Sequence, residues 1–419
     1  MRIRYGNVPA IIRRVKLEAI IVDQLSLRVR SLSPSRTIAM NQRARALRDS
    51  GVDVIDLTVG EPDFPTPEPV REAAKRAIDE GNNFYTPVAG YNDLREAVSR
   101  KLERENGLSY RPSSVMVSAG AKHCITNSLL ALVDPGDEVV IPAPHWVSYC
   151  ELVKIAGGIP VSVPTLASEG YKLRPESLAA AMSDRTKAII LCSPSNPSGA
   201  VYSRPELELL ASVLAERPRV WALSDEIYEH IDYTGLPHAS PAQIPILAER
   251  TIVVNGVSKA YAMTGWRIGY LAGPAPLVKA CIDLQGQMTT NASSIAQRAA
   301  FAALESGVTL IGGMQAAFLR RRSLVLERAR ELPGLGLVEP EGAFYIFPDV
   351  SSYYGKSAGG KAIASSDDLA EFLLEEARVA IVPGSAFGDD HCLRLSFASS
   401  DERLAAAFDR MGEAFAKLR

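Results

Sequence analysis

At 419 residues the chain exceeds what one hydrophobic core ordinarily fills, so two domains, or one large α/β domain with an appendage, are expected. Its formal net charge is −2 and it has no long basic stripe, which argues against nucleic acid as the main partner. The five cysteines (Cys124, Cys150, Cys192, Cys281, Cys392) are scattered and the five histidines make no ligand spacing with them, so reduced thiols are expected and a metal is not indicated.

Residues 1–24 read as an N-terminal extension with several basic residues and short isoleucine runs. It lacks the continuous apolar region and small-residue cleavage site of a secretory signal, and residues 1–22 lack the serine of a transit peptide. A disordered arm, or the product of an upstream start codon, is the expectation. Between residues 71 and 308 short apolar runs alternate with amphipathic stretches. Strands are predicted at 114–118, 137–142, 159–164, 186–192, 219–224, 251–254 and 267–272, with helical periodicity between them, as in Pro205–Leu214. That alternation implies a seven-stranded, mostly parallel sheet covered on both faces. Beyond residue 309 a long arginine- and leucine-rich helix leads into an α+β pattern. It comprises Ala343–Phe347, a helix near Asp368–Ala377, Val379–Val382, and a last helix opened by a Ser399/Glu402 capping box. Residues 309–419 are expected to form a small α+β domain together with 25–70. Gly355–Ser366 reads as a surface loop, and there is no internal repeat or apolar run of transmembrane length.

The chemistry centres on Ser258–Tyr270. Lys259 follows a hydroxyl, Ser258, and precedes a guanidinium, Arg267, by eight residues. An amine bonds to an aldehyde, and a hydroxyl with a guanidinium suits a phosphate. Aldehyde and phosphate together describe pyridoxal 5′-phosphate (PLP). The bland alternative is a solvated surface lysine. PLP needs a carboxylate facing its ring nitrogen, and Asp225 stands at the C-terminal end of the apolar run from Val220, where open parallel sheets bind ligands. At about 3 Å and an effective dielectric near 20, such a pair gains roughly 5 kcal/mol before desolvation. Asp225 as a mere turn cap is the competing reading. Asn196, in a Ser-Asn-Pro-Ser-Gly turn, and Tyr228 are candidates to donate to the ring's phenolic oxygen. Val115–Ser118 runs through Gly120 into a helix, a ready anion site of free N–H groups. Arg394 alternates with apolar neighbours in Cys392–Ala398; facing inward it requires an anion such as an α-carboxylate, and facing outward it is an edge residue.

In order and spacing these residues resemble the class I aminotransferases of PLP fold type I, especially the subgroup containing many bacterial aspartate aminotransferases. The resemblance runs from about Leu25 to the C-terminus. It implies Lys259 as the lysine bonded to the cofactor and as proton carrier, Asp225 on the ring nitrogen, and Asn196 and Tyr228 on the phenolic oxygen. It implies Ser258, Arg267 and the backbone of Gly120, Ala121 and Lys122 on the phosphate, with Trp146 stacked on the ring. For substrate it implies Arg394 and the Gly60 backbone at the α-carboxylate, and Lys122 with Thr37 at a distal carboxylate. Tyr85 matches a tyrosine that reaches the neighbouring subunit's phosphate, which makes the enzyme a homodimer with shared active sites. The implied activity is ping-pong transfer of the amino group of L-aspartate to 2-oxoglutarate in the cytoplasm. A charged hydrogen bond of about 1.5–3 kcal/mol corresponds to roughly 10- to 150-fold preference for an acidic side chain. Aromatic or prephenate substrates, and another PLP reaction such as a β-lyase, are the alternatives. A transcriptional-regulator use of the fold would need a DNA-binding module for which the chain has no room.

Overall fold

The computed structural model describes residues 24–33 and 36–419, without the side chain of Thr37. The expected N-terminal arm lies outside the described residues except for Gln24. Seven strands form the main sheet: β1 (Val115–Ser118), β2 (Glu138–Ala143), β3 (Ile159–Pro164), β4 (Thr186–Cys192), β5 (Trp221–Asp225), β6 (Thr251–Gly256) and β7 (Gly269–Ala272). Their order is β1-β7-β6-β5-β4-β2-β3. Strand β7 pairs antiparallel to both its neighbours, and every other pairing is parallel. The central strands are continuous apolar runs because both their faces are covered. Leu223, Ile190 and Val254 pack with Leu129 and Val153 on one face, while Ala222, Ile189 and Leu191 meet Leu207, Leu210 and Leu214 on the other.

The C-terminal portion adds a three-stranded antiparallel sheet of Val382–Pro383, Leu393–Ser396 and Tyr345–Ile346, with Leu393–Ser396 in the middle. Residues Ile55–Asp56 pair in parallel with Val379–Ala380. That pairing brings the N-terminal segment to the C-terminal layer and sets Thr58 and Gly60 beside the main sheet's C-terminal edge.

Two local expectations need correction. The last helix, Asp401–Phe415, is capped by Ser400, whose Oγ accepts from the Arg403 N–H. Ser399 lies one residue too early to reach a first-turn amide, so the expected Ser399/Glu402 box does not form. The Gly355–Ser366 stretch is not all loop. Ser357–Ala358 and Lys361–Ala362 form a hairpin turned by Gly359 and Gly360, both at positive φ (57° and 82°), as a two-residue turn demands. Ser366 starts the helix Ser366–Glu376 and is fully buried, its Oγ donating to Asp390.

Candidate active site

A cavity of about 300 Å³ opens at the C-terminal edge of the main sheet, where β4, β5 and β6 end. Gly60, Ala121, Lys122, Trp146, Asn196, Asp225, Tyr228, Ser258, Lys259, Arg267 and Arg394 line it, as do Tyr149, Cys192, Ile227, Thr264 and Tyr345. Sequence positions 334 residues apart therefore converge there (394 − 60). Gly120 sits immediately beside it as the helix N-cap at φ 87°. Tyr85 does not line it: the side chain is 88% exposed on the surface. Thr37 lies in the helix Arg36–Asp49.

The cations carry the site's character. Lys122, Lys259, Arg267 and Arg394 have no carboxylate within 4.0 Å among the described residues, and Asp225 is the cavity's acidic lining residue. Arg394 is buried in mid-sheet; one nitrogen donates to Asn196 Oδ1 at 3.2 Å and another to the Thr58 carbonyl, while its Nε has no partner. The inward reading of its strand therefore holds. The rings of Tyr345 and Phe387 lie 4.6 and 5.0 Å from its guanidinium. A buried guanidinium with an orphan N–H is costly unless an anion joins it.

Lys259 Nζ donates to the Gly60 carbonyl. Burial, aided by Arg394 and Arg267 and opposed by Glu61 and Asp225, pushes its amine down to about 8. Burial raises the Asp225 carboxyl to about 6, against the Tyr149 hydroxyl that donates to Oδ2 at 2.7 Å. Tyr228 and Tyr345 share a hydroxyl contact of 2.9 Å, and burial drives the Tyr228 phenol well above its usual value. Lys122 Nζ stands 4.7 Å from the Trp146 ring centroid; burial first, then Arg267, lowers its pKa.

At the phosphate end the backbone comes unusually close. A Cβ on Gly120 would lie 2.4 Å from Arg267 Nη2, and one on Gly269 would lie 2.2 Å from the Ala121 nitrogen. Gly269 is required by that approach to backbone and Gly120 by its φ of 87°, and the turn leaves the first N–H groups of the helix Ala121–Leu132 facing the cavity beside Ser258 and Arg267. This cradle, with the unpaired cations and the near-neutral lysine, fits a small aldehyde carrying a phosphate.

Tyr149 and Tyr345 escaped the sequence reading. Tyr149 stands three residues after Trp146 at the start of the helix Ser148–Ala156, and Tyr345 lies in a stretch read only as part of the C-terminal α+β pattern. A tyrosine in an apolar pattern carries no mark of what its hydroxyl meets.

A mostly parallel sheet with a lysine at its C-terminal edge, opposite an aspartate and a buried arginine, defines a PLP-type enzyme scaffold. Comparison with known proteins narrows the class: the family described as "Aminotransferase class I and II" matches residues 52–411, and the chain belongs to it. The family is PLP-dependent. A Petunia hybrida protein named bifunctional aspartate aminotransferase and glutamate/aspartate-prephenate aminotransferase is 48% identical over 415 residues, 98% of this chain and 87% of that protein. With 98% of the chain covered, this match extends into residues 1–22, which the sequence reading set outside the resemblance. The solved aspartate aminotransferase of Rhizobium meliloti superposes with a TM-score of 0.92 at 44% identity, covering 94% of this chain and all of that one. The Thermus thermophilus aspartate aminotransferase with maleate gives 0.87 at 45%, covering 93% and 99%.

Proposed function

We propose that the chain is an aspartate aminotransferase that passes the amino group of L-aspartate to 2-oxoglutarate, leaving oxaloacetate and L-glutamate. The observation that carries this is the set of four cations without carboxylate partners, spread from the phosphate cradle to Arg394 around one cavity. PLP, when bound, supplies an aldehyde that bonds to amines and a ring that withdraws electrons from the substrate's α-carbon. Ser258, Arg267 and the N–H groups of Ala121 and Lys122 would hold its phosphate, the Gly120 N–H being spent on the Ser118 carbonyl at 2.7 Å; Asp225 would hold its ring nitrogen, Asn196 and Tyr228 its phenolic oxygen, and Trp146 its face.

The remaining steps belong to the protein. Arg394 binds the α-carboxylate in its planar fork, aided by the Gly60 backbone, and the incoming anion satisfies the orphan Nε. Lys122, with Thr37, takes the distal carboxylate. Because burial holds the Lys259 amine near 8, an appreciable share is neutral at working pH, so Nζ takes the α-proton from the donor and returns it to the acceptor. Tyr149 holds Asp225 in place, its hydroxyl favouring the ionised form and partly offsetting the burial that raises the carboxyl to about 6. Tyr85 is presented to a second copy, which makes the working unit a homodimer with shared sites. Residues 25–70 and 309–419 form the smaller unit facing the cavity. The five unpaired thiols suit the cytoplasm. Among the described residues no single helix is long and apolar enough to cross a membrane.

Titration of the PLP-loaded protein with single amino acids, without oxo acid, tests the reading through the visible absorbance. Aspartate and glutamate are expected to convert the cofactor to its amino form, and alanine or phenylalanine to do so at least about tenfold less efficiently. Best conversion by an aromatic amino acid would replace the aspartate assignment with an aromatic or broad-specificity one. No conversion by any would remove the aminotransferase reading.

A further inference from the structure

Two fully buried glutamines lie outside the cavity and have no part in the chemistry above: Gln285 on the helix Ala275–Met288 and Gln297 on the helix Ser294–Ser306. Each spends its amide on the segment 82–91, whose tip exposes Phe84 (80%) and Tyr85 (88%) to solvent. Gln297 Oε1 accepts from the Tyr91 N–H at 2.8 Å, and its Nε2 donates to Thr86 Oγ1 at 3.0 Å and the Ala292 carbonyl at 2.9 Å. Gln285 Nε2 donates to the carbonyls of Val88 at 2.8 Å and Val117 at 2.9 Å. Its Oε1 accepts from Ser118 Oγ and from Asn127 Nδ2. The Ala89 carbonyl accepts from the Val117 N–H at 3.0 Å. Gly90, at φ 93°, presses on Val117 and Gln297 so closely that a Cβ there would lie 2.8 Å from Val117 Cβ and 3.0 Å from Gln297 Oε1.

This is a rigid root under an exposed aromatic tip. Two apolar rings held out in water gain nothing in a lone chain, while ordering the segment beneath them costs conformational entropy. The arrangement makes sense if the tip must arrive preformed elsewhere, since a pre-ordered element binds without that cost. We propose that Gln285 and Gln297 are positioning residues that preform the arm 82–91 so that Tyr85 reaches the cofactor phosphate of a second copy. The proposal rests on the reading of Tyr85 given above. Gln285 adds a second link. By holding Val88 on the arm together with Val117 and Ser118, the last residues before the Gly120 turn, it hangs a subunit's contribution to its neighbour's site and its own phosphate cradle from one side chain.

The test is the rate of PLP release from diluted holoenzyme, with light scattering to confirm an unchanged dimer. The chains compared are wild type, Gln297→Met, Thr86→Val and Tyr85→Phe, with Gln297→Met and Thr86→Val also in the Tyr85→Phe background. Tyr85→Phe and Gln297→Met are each expected to speed release about tenfold, and Thr86→Val, which removes only the hydroxyl that Gln297 holds, about threefold. In the Tyr85→Phe background both arm variants should change release by less than about twofold, because they act through a hydroxyl already gone. Equal acceleration in both backgrounds would mean a merely structural glutamine and overturn the proposal. So would a Thr86→Val holoenzyme that releases PLP at the wild-type rate, a readout that stands even if Gln297→Met does not fold. If Tyr85→Phe alone leaves release unchanged, the fault lies with the assignment of Tyr85, and this inference falls with it.

Discussion

The role proposed for Lys259 depends on what surrounds it. An ordinary lysine stays protonated to about pH 10.4, whereas burial, with Arg394 and Arg267 nearby, brings this one down to about 8. The lowered value favours the neutral amine, the form that attacks an aldehyde. The rate at which apoenzyme captures PLP should therefore rise about tenfold per pH unit toward pH 8 and then level off. Stopped-flow absorbance at constant ionic strength reads this directly. A rate still climbing at about pH 10 would mean that the amine is not desolvated as the structure has it. Asp225 and Arg394 were legible in the sequence because each is a charged group in or beside an apolar run, where burial demands a partner, and Lys259 because Ser258 and Arg267 flank it with groups that suit a phosphate. Tyr149 and Tyr345 were not, because a tyrosine serves equally as core, and only the fold brings their hydroxyls to Asp225 and Tyr228.

Helix Asn92–Asn106 shows how one element steadies another that bears the chemistry. Its Lys101 is 1% exposed and pairs with Glu229, the residue after Tyr228; Asn106 and Asn255 complete the carboxylate's hydrogen bonds at 2.7 and 2.8 Å. Burial alone would raise the Glu229 carboxyl, yet Lys101, His230 and His238 outweigh it and hold it below the usual range. A depressed carboxyl stabilises the fold above its unfolded pKa, and that contribution fades as pH falls through the folded value. Lys101→Met leaves the carboxylate buried without its main partner and should cost about 3–5 kcal/mol at neutral pH by denaturant unfolding. In the variant Glu229 is expected above its unfolded pKa instead, so protonation relieves it and the deficit should narrow toward about pH 4. A deficit independent of pH would assign the loss to packing. Elements themselves were legible where their pattern is long: each of the seven main strands lies within three residues of its expected bounds. In the C-terminal portion the stretches Ala343–Phe347 and Val379–Val382 were marked, though only Tyr345–Ile346, Val379–Ala380 and Val382–Pro383 pair there; the Gly359-Gly360 hairpin was not, since too few side chains alternate to mark it.

Over the whole molecule, the pairings that close the cavity are the least local ones. Ile55 meets Val379 and Thr58 meets Arg394 across more than half of the chain, and Gly60 meets Lys259 across 199 residues. No periodicity in a sequence window encodes such a pairing, so the strand order and this closure emerge only from the fold. Arg321, midway along the helix Gly312–Glu331, secures it. Its fork grips both oxygens of Asp63 at 2.6 and 2.8 Å, its Nε reaches Asp401 at 3.4 Å, and its guanidinium lies 5.0 Å from the Phe64 ring. One side chain thus ties the segment carrying Gly60 to the long helix and the last helix. Arg321 is buried but both carboxylates are about a third exposed, so solvent screens the pair and Arg321→Met should cost about 2 kcal/mol rather than the full penalty of a buried pair. The functional consequence separates a strut from a passive contact. With Asp63 released, the Gly60 backbone loses its anchor three residues away, and the carboxylate site proposed for it and Arg394 should loosen. KM for aspartate is expected to rise several-fold, about 1 kcal/mol of binding, while kcat falls less, because Asp225 ends a main-sheet strand and the Lys259 backbone follows one, neither of which Arg321 touches, and only the Lys259 side chain meets Gly60. A lower melting temperature with KM unchanged would show that the loop at Gly60 holds its place without Arg321, and that this ion pair serves stability alone.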